Sequence, residues 1–349
     1  MSARILLLVR DRKSKAGSGR NAANMIKAIT AAGFELDILD YDGRFISYVW
    51  RAIRAAQRAD IVQAVDMNPL GFAGYIATRF ARAKFVIVAQ AGYALAPLDH
   101  RKTRLASRMA YRAADRIVAG SAFIAREIER RVPGVQVGVI DPGIDLNTFP
   151  GSSAEHIPDG APLMIGVGAV KARKGYDVSM KAFAIAKRTI PALRYVIVGS
   201  QTDEPRFFAS VQALAQELGV AKDVEFLSGI SDKTLDDLYR RASLFILTSS
   251  NVGAHMEGFG MVFLEAAAYG LPSIGTTGNG IEGAVANGRT GMLVPQNDPD
   301  AAARAIVDIL GEKDRAKKMG QEAKLFAKEH DIPHLIELYS ALYRDMLGR

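Results

Sequence analysis

Two glutamates, Glu257 and Glu265, stand on either side of a glycine-rich turn that leads into a predicted helix. Gly258 and Gly260 would free backbone N–H groups at the helix N-terminus, where unpaired donors and the helix dipole favour an anion. Glu265 would lie one to two turns into the helix, and a carboxylate there could accept paired hydrogen bonds from hydroxyls such as those of a ribose. The spacing lets the two glutamates contact two parts of one ligand.

A second candidate element is the basic turn at Val167–Asp177, which follows a predicted strand and contains Lys171, Arg173 and Lys174. A lysine beside a glycine-rich turn and ahead of a helix could hold a diphosphate leaving group, because positive charge stabilises the negative charge that develops as a bond breaks. The alternative for Lys174 is a solvated lysine in a turn. Arg173 fits equally well as a cation that holds the diphosphate or as a solvated residue.

The elements that must position these residues alternate between short aliphatic strands and helices along the whole chain. This βαβ rhythm, with continuous apolar strands, is typical of parallel sheets buried on both faces. A polar, turn-rich stretch after Pro150 divides the pattern into two series. The sequence therefore predicts two doubly wound, Rossmann-like α/β domains that face a central cleft, with ligands at the carboxyl ends of the strands. The domain bounds are 1–150 and 151–330.

Composition is that of a globular protein, with 49% hydrophobic and 23% charged residues. The absence of cysteine excludes disulfides, thiolate zinc sites and a cysteine nucleophile. No apolar run reaches the ~18 residues of a membrane span. We therefore expect a cytoplasmic protein, and a position at the inner face of the membrane is a further possibility left open by the sequence.

Charge is concentrated in the first part of the chain. Residues 1–150 contain 23 Lys+Arg and 13 Asp+Glu, a net +10, and the remaining residues contain 22 and 24, a net −2. A regular helical spacing predicts one basic face for the arginines after Asp99, which are Arg101, Arg104, Arg108 and Arg112. Such a face could contact anionic lipid or a phosphorylated acceptor, and the alternative is a solvated face.

The segment from Glu257 to Glu265, together with the Ala-x-Gly-x-Pro pattern after it, resembles the E-x7-E signature of the family 4 glycosyltransferases. This resemblance implies the GT-B fold and a retaining transfer of sugar from a nucleotide-diphosphate sugar. It places Glu257 by the donor sugar, the backbone of Gly258, Phe259 and Gly260 by its hydroxyls or phosphate, and Glu265 on the nucleotide ribose. It also implies that the nucleotide sugar binds to residues 151–330 and the acceptor to residues 1–150. No metal and no separate cofactor are expected.

The resemblance extends to other parts of the chain. Lys174 and Gly175 match a Lys-Gly pair of the family, and the resemblance assigns catalytic roles to Glu257, Lys174 and Arg173. The glycine-rich stretch with Gly17 and Gly19 is similar to the loop whose backbone N–H groups contact the sugar, its phosphate or the acceptor. The terminal segment 331–349 is expected to form a helix that packs back on the first domain.

Two positions depart from the family pattern. Ala169 stands where the family has an arginine, so Arg173 or Lys171 must supply that charge or the leaving group is less stabilised. Gln90 stands near a position that often holds histidine, and glutamine cannot act as a general base. This change favours a route in which the leaving phosphate takes the acceptor proton. The acceptor remains open between a lipid-linked molecule, a saccharide and a small molecule.

Three other interpretations have sequence support. Gly17-x-Gly19-x-x-Ala22 with Asp40 resembles a dinucleotide fingerprint and would indicate an NAD(P)-dependent oxidoreductase, but the glycines do not directly follow the first strand. Asp40-Tyr41-Asp42 resembles a D-x-D metal site. The pI of about 9.5 would suit a nucleic-acid-binding protein, although no nucleic-acid motif accompanies it.

Overall fold

The computed structural model describes residues 3–10, 17–149, 152, 160–253 and 255–348. The chain forms two compact units, unit 1 with residues 1–144 and 330–349, and unit 2 with residues 145–329. Unit 2 thus begins at Asp145 rather than after Pro150. Asp145 already belongs to a turn at Leu146–Thr148, since its carboxylate accepts a hydrogen bond from the backbone N–H of Asn147 at 3.3 Å. Most of the predicted linker lies outside the described residues.

Unit 1 contains a parallel sheet in the order β2-β1-β3-β4-β5-β6. The strands are β1 (Arg4–Val9), β2 (Glu35–Asp40), β3 (Ile61–Val65), β4 (Lys84–Ala89), β5 (Arg116–Ala119) and β6 (Gly138–Val139). The central strand β3 is buried at every position. Helices cover both faces of such a sheet, which is why its strands are continuously apolar.

The helices of unit 1 begin with α1 (Gly17–Ala31), α2 (Phe45–Ala56), α3 (Phe72–Thr78), α4 (Ala91–Asp99), α5 (Arg104–Ala113) and α6 (Ala122–Arg131). The helix predicted from Arg101 starts three residues later, after a turn in which the backbone N–H groups of Thr103 and Arg104 bond to the carbonyl of His100. Helix α3 contacts both α2 and α5. These three helices therefore lie on the same side of the sheet.

Unit 2 contains a second parallel sheet in the order β12-β11-β10-β7-β8-β9. Its strands are β7 (Leu163–Val167), β8 (Arg194–Val198), β9 (Val224–Leu227), β10 (Leu244–Ile246), β11 (Ser273–Thr276) and β12 (Gly291–Val294). Its helices are α7 (Tyr176–Lys187), α8 (Pro205–Glu217), α9 (Asp232–Arg241), α10 (Met261–Ala268), α11 (Pro299–Gly311) and α12 (Lys313–Glu329). Both units are doubly wound, as the alternating pattern predicts.

The last helix, α13 (Ile332–Leu347), belongs to unit 1 and contacts α1. Its Tyr343 is fully buried, and the phenol donates a hydrogen bond to Oε1 of Gln63 in β3 at 2.8 Å. Asp331 caps the helix, and the backbone N–H of Ile144 bonds to the carbonyl of His330 at 2.8 Å. Among the described helices, none combines the length and apolar character needed to cross a membrane.

Candidate active site

The residues that the sequence singles out in unit 2 lie at the point where the sheet changes direction. Strands β7 and β10 are neighbours, but the chain runs from β7 outward to β8 and from β10 outward in the opposite direction to β11. The loops at the carboxyl ends of two such strands separate and leave a crevice, which is the usual ligand site of open α/β sheets. The loop after β7 carries Lys174, and the loop after β10 carries Glu257.

Two hydrogen bonds fix the loop after β7 against the residues that follow β10. The Thr248 hydroxyl donates to the carbonyl of Gly175 at 2.6 Å, and the backbone N–H of Ser250 donates to the carbonyl of Arg173 at 2.9 Å. Gly175 has φ +67°, and a Cβ there would lie 2.0 Å from the carbonyl oxygen of Thr248. Glycine is therefore required for both the conformation and the space. The residues on both sides of Lys174 are therefore fixed by hydrogen bonds from the loop after β10.

Arg173 and Lys174 converge on a single carboxylate oxygen. Lys174 Nζ lies 2.5 Å and Arg173 Nη1 3.0 Å from Oε2 of Glu257. The side chains of Lys174 and Glu257 are 11% and 14% exposed, whereas Arg173 keeps a third of its surface open to solvent. Two cations and one anion leave a net charge of +1 in a sheltered place. That arrangement favours a further anionic group.

The Glu257 carboxyl is ionised at neutral pH despite its burial. Burial raises the pKa of the Glu257 carboxyl, but the neighbouring Lys174 and Arg173 outweigh this effect and lower the pKa to about 2. Burial lowers the pKa of the Lys174 ammonium, and Glu257 opposes the change. Glu257 is therefore an ionised anchor for the two cations and not an acid that carries a proton.

The glycine-rich turn after Glu257 is as tightly built as the basic loop. The backbone N–H of Gly280 donates to the carbonyl of Glu257 at 2.9 Å, and a Cβ on Gly280 would lie 1.8 Å from the carbonyl oxygen of Gly258. Gly260 has φ +91° and immediately precedes helix α10, while Phe259 is 4% exposed. Gly258 and Gly260 indicate this turn in the sequence. The sequence does not indicate that Gly280 must be a glycine to leave room for the carbonyl of Gly258.

Glu265 is the fifth residue of α10 and is 2% exposed. The Tyr239 hydroxyl lies 3.5 Å from its Oε2, at the outer limit of a hydrogen bond. Tyr239 is itself stacked on Tyr269, with ring centroids 5.1 Å apart. Helix α10 thus places the Glu265 carboxylate one turn after the glycine-rich turn. The neighbouring Tyr239 ring packs on the Tyr269 ring.

The charge missing at Ala169 has one candidate replacement in this cluster. Arg173 shares the Glu257 carboxylate with Lys174, whereas Lys171 Nζ binds Asp203 at 2.6 Å. The two residues left open by the sequence therefore have different partners. A spacing argument could not separate them, because it gives the position of a side chain on the loop but not the carboxylate that it reaches.

The corresponding edge of unit 1 contains a buried acid that the sequence analysis missed. Asp66 follows β3, is 8% exposed and has φ +79°, which is rare for a residue other than glycine. Its Oδ1 accepts a hydrogen bond from the backbone N–H of Gln90 at 2.8 Å. Burial raises the pKa of Asp66 to about 7, although Gln90 and Arg10 oppose the rise. The one feature of the sequence that points to this acid is its position directly after the buried strand Ile61–Val65.

Gln90 itself has a buried side-chain nitrogen, Nε2, that finds no hydrogen-bond partner among the described residues.

Gly17 and Gly19, predicted to lie in a loop that leads into a helix, are in the first turn of α1. Residues 11–16, which precede them, lie outside the described residues. The dinucleotide fingerprint therefore falls within a helix.

One further expectation changes in the structure. The arginines Arg101, Arg104, Arg108 and Arg112 do not form one free basic face. Arg104 Nε bonds to the carbonyl of Leu98 at 3.2 Å, and the half-buried Arg108 bonds to the carbonyl of Arg131 at 3.1 Å. Helical spacing alone cannot reveal these carbonyl partners in neighbouring elements.

The D-x-D pair is likewise engaged, since the Asp42 carboxylate binds Arg51 at 2.9 Å and the backbone N–H of Arg44 at 3.1 Å. Within the part of the chain that the structure describes, no three acidic or histidine side chains cluster as metal ligands would.

Solved structures with the same architecture are GT-B glycosyltransferases. Sucrose-phosphate synthase from Thermosynechococcus elongatus superposes with a TM-score of 0.80 at 19% identity, covering 99% of both chains. HepE from Anabaena, in complex with UDP, gives 0.80 at 18% identity and covers 98% of this chain and all of that chain. At these identities the likeness establishes the fold, which is GT-B.

Sequence comparison defines the family. The profile described as "Glycosyl transferases group 1" matches residues 152–326, and that of "Glycosyltransferase Family 4" matches residues 36–148. A D-inositol 3-phosphate glycosyltransferase of Streptomyces scabiei is 32% identical over 67% of this chain and 55% of its own length, and that of Nocardia farcinica is 34% identical over 67% and 54%. The chain thus matches about half the length of these curated relatives. It belongs to the family 4 glycosyltransferases.

Proposed function

We propose that this protein is a retaining glycosyltransferase that moves a sugar, a hexose or a related sugar, from a nucleotide-diphosphate sugar to an acceptor. The observation that carries the proposal is the convergence of Lys174 and Arg173 on Glu257 between β7 and β10. A sheltered net positive charge at a crevice suits a diphosphate, which gains charge as the glycosidic bond breaks. Family membership and the UDP bound to HepE, a protein of the same fold, support this assignment.

Each residue of the cluster has a proposed role. Lys174 and Arg173 stabilise the departing diphosphate, and Glu257 holds them in position beside the donor sugar. The backbone of Gly258, Phe259 and Gly260 receives sugar hydroxyls or phosphate oxygens, as donors at a helix N-terminus can. Glu265 accepts hydrogen bonds from the ribose. Because two fixed cations already supply positive charge, we propose that the transfer is independent of metal.

The proton of the acceptor needs a base, and unit 1 supplies no histidine at Gln90. We propose that an oxygen of the leaving phosphate takes this proton on the same face of the sugar. The configuration of the anomeric carbon is then retained. Proton NMR of the first product tests this step, since the anomeric signal should match the configuration of the donor, and an inverted signal contradicts it.

Unit 1 is proposed to bind the acceptor, with contacts from the N-terminus of α1 at Gly17 and Gly19. The acceptor stays open between lipid-linked, saccharide and small-molecule classes. Because curated relatives are named for D-inositol 3-phosphate, inositol phosphates belong in the first acceptor screen.

A thermal-shift screen tests the donor half directly. UDP, GDP and ADP and their sugars are added separately, and ligand at ~100 times its dissociation constant should stabilise the folded state by about 2.7 kcal/mol. The Lys174→Ala variant serves as control and should shift less with the same ligand. If none of these nucleotides raises the melting temperature, the proposed function is wrong.

A further inference from the structure

Exposed apolar side chains are unevenly distributed among the described residues. Eleven large hydrophobic side chains are exposed, and eight of them belong to unit 1. Unit 2 contributes only the scattered Leu218, Val252 and Leu325 to this set. Single exposed apolar residues are ordinary, but a concentration in one region indicates an interaction surface.

Helix α2 carries two of these residues, including the most exposed one, on the face opposite its buried one. Tyr48, Ala52 and Ala56 are buried, while Ile46 is 76% and Trp50 62% exposed. Ile46 and Trp50 are four residues apart and therefore adjacent on the helix surface. The solvent side of a surface helix normally carries polar residues. Here it presents an isoleucine and an indole.

The charged residues of α2 and of the turns next to it are arginines. No acidic residue occurs from position 43 to position 59, and the segment contains Arg44, Arg51, Arg54 and Arg58. Arg51 binds Asp42. Within the described residues, none of Arg44, Arg54 and Arg58 forms an ion pair with a carboxylate, and all three are exposed.

The same pattern recurs at α5 and at the end of α3. Phe80, just after α3, is 63% exposed and follows the exposed Arg79. On α5, Leu105 is 72% and Met109 48% exposed, and the last turn of the helix carries the exposed Arg112. Helices α2 and α5 and the residues just after α3, all on one side of the unit 1 sheet, thus each combine an exposed apolar side chain with an arginine.

We propose that this side of unit 1 docks on an anionic lipid bilayer, with Ile46 and Trp50 entering the interface and the arginines contacting lipid phosphates. An apolar centre with a basic rim is complementary to a surface that has anionic headgroups above an apolar interior. Tryptophan is enriched at the level of the headgroups. A second copy of the same face would place arginine against arginine, which disfavours a symmetric dimer. The inference does not depend on the proposed sugar transfer.

The chain contains one tryptophan, so Trp50 reports on this surface without engineering. The intact protein is titrated with vesicles of phosphatidylcholine alone and of phosphatidylcholine with phosphatidylglycerol. We expect a blue shift of the Trp50 emission with the anionic vesicles, and its reversal at high salt. An unchanged spectrum at every phosphatidylglycerol content, or an equal shift on both kinds of vesicle, overturns the proposal.

Sedimentation with the same vesicles identifies the residues. The double variant Ile46→Ser/Trp50→Ser should lose at least about tenfold in vesicle affinity, given the apolar surface of the two side chains. Removal of one rim charge, in Arg54→Gln or Arg58→Gln, should weaken binding by about fivefold each. Leu325→Ser, which removes a 51% exposed leucine of unit 2, is the matched control and should bind like the wild type.

Two results would contradict this assignment of residues. Equal sedimentation of the double variant and the wild type would show that α2 does not contact lipid. A blue shift that grows with protein concentration in the absence of vesicles, together with a doubled mass in light scattering, would identify the surface as a contact between copies. The thermal-shift screen with nucleotides remains a separate readout, so a failure here does not affect the donor site.

Discussion

Each unit places a buried acid at the carboxyl edge of its sheet, and the two acids respond to burial in opposite ways. At Asp66 in unit 1, burial raises the pKa to about 7. At Glu257 in unit 2, burial acts in the same direction, but Lys174 and Arg173 lower the pKa to about 2. The difference lies in the cation partners. Unit 2 holds a fixed charged cluster, whereas unit 1 holds a carboxyl that can be neutral near physiological pH.

The two sheet edges also differ in which residue types occupy their tight backbone positions. Around Glu257, the tight positions are glycines, and Gly175 and Gly280 leave room for a neighbouring carbonyl. In unit 1, a positive φ falls on Asp66 itself, and a conformation of this kind costs on the order of 1–3 kcal/mol for a residue with a side chain. Nε2 of Gln90 also lacks a described partner. The edge of unit 2 is built from glycines that fit closely against neighbouring carbonyls, whereas the edge of unit 1 carries backbone strain at Asp66 and a buried Gln90 nitrogen without a described partner.

The largest expected effect tests the charged cluster of unit 2. Lys174→Ala should lower kcat by about 10²–10³, the typical loss when one group that stabilises transition-state charge is removed. Release of nucleoside diphosphate, with the donor that gives the largest thermal shift, is the assay. Lys171→Ala is the matched control, because Lys171 binds Asp203 instead of Glu257. Equal losses in the two variants would mean that the cluster has no special role.

Gly175→Ala tests the close fit of the loops in unit 2. Gly175 and Gly219 have similar φ angles of +67° and +72°, but an added Cβ meets Thr248 only at Gly175 and finds open space at Gly219. Gly219→Ala should reduce the free energy of unfolding by about 1–2 kcal/mol through backbone strain alone. Gly175→Ala should lose clearly more and also weaken nucleotide binding. Urea titration and calorimetry measure the two effects, and identical losses would contradict the role of the Thr248 contact.

Glu265→Ala tests the assignment of the nucleotide to unit 2. Loss of a hydrogen bond to a charged acceptor is worth about 1.5–3 kcal/mol, so the dissociation constant of the nucleoside diphosphate should rise roughly 10- to 100-fold. Isothermal titration calorimetry provides the measurement. Asp66→Asn, in unit 1, is the control and should leave this constant unchanged. If Glu265→Ala changes the dissociation constant less than Asp66→Asn does, the nucleotide is not bound by unit 2.

The smallest effects are the pH profiles of the two acids. For Glu257 the pKa in the folded protein lies below the ordinary 4.5, so its stabilising contribution is present above that pH and disappears as pH falls towards about 2. Glu257→Gln should therefore unfold at a lower temperature than the wild type at about pH 7. The difference should shrink through the acid range. A constant difference down to about pH 3 would contradict the ion cluster.

The profile of Asp66 should have the opposite sign. Its folded pKa of about 7 lies above the ordinary 3.8, so the folded state prefers the neutral acid, and stability falls as pH rises from about 4 through 7. Asp66→Asn keeps an oxygen for the N–H of Gln90 but has no charge. Scanning calorimetry should find the variant more stable than the wild type at about pH 8, by several degrees, and little different at about pH 4.

The sequence predicted the parts of this molecule that depend on local chemistry. Continuous aliphatic strands and alternating helices indicated two parallel sheets, and the glycines at 258 and 260 indicated a turn into a helix, which is α10. Partners across elements were not predictable. Spacing could not decide between Arg173 and Lys171, and it could not reveal that a carbonyl in α6 engages Arg108. Asp66 was missed because neither burial nor a positive φ is visible in one residue type.

The placement of α13 in unit 1 has a consequence for the order in which the protein can fold during synthesis. Unit 2 is one continuous stretch and can complete its core once residue 329 has emerged from the ribosome. Unit 1 is made first but finished last, because Gln63 in its central strand receives the hydroxyl of Tyr343 only when the final helix exists. Until then, the surface of β3 and α1 that α13 covers is open to solvent or to a chaperone.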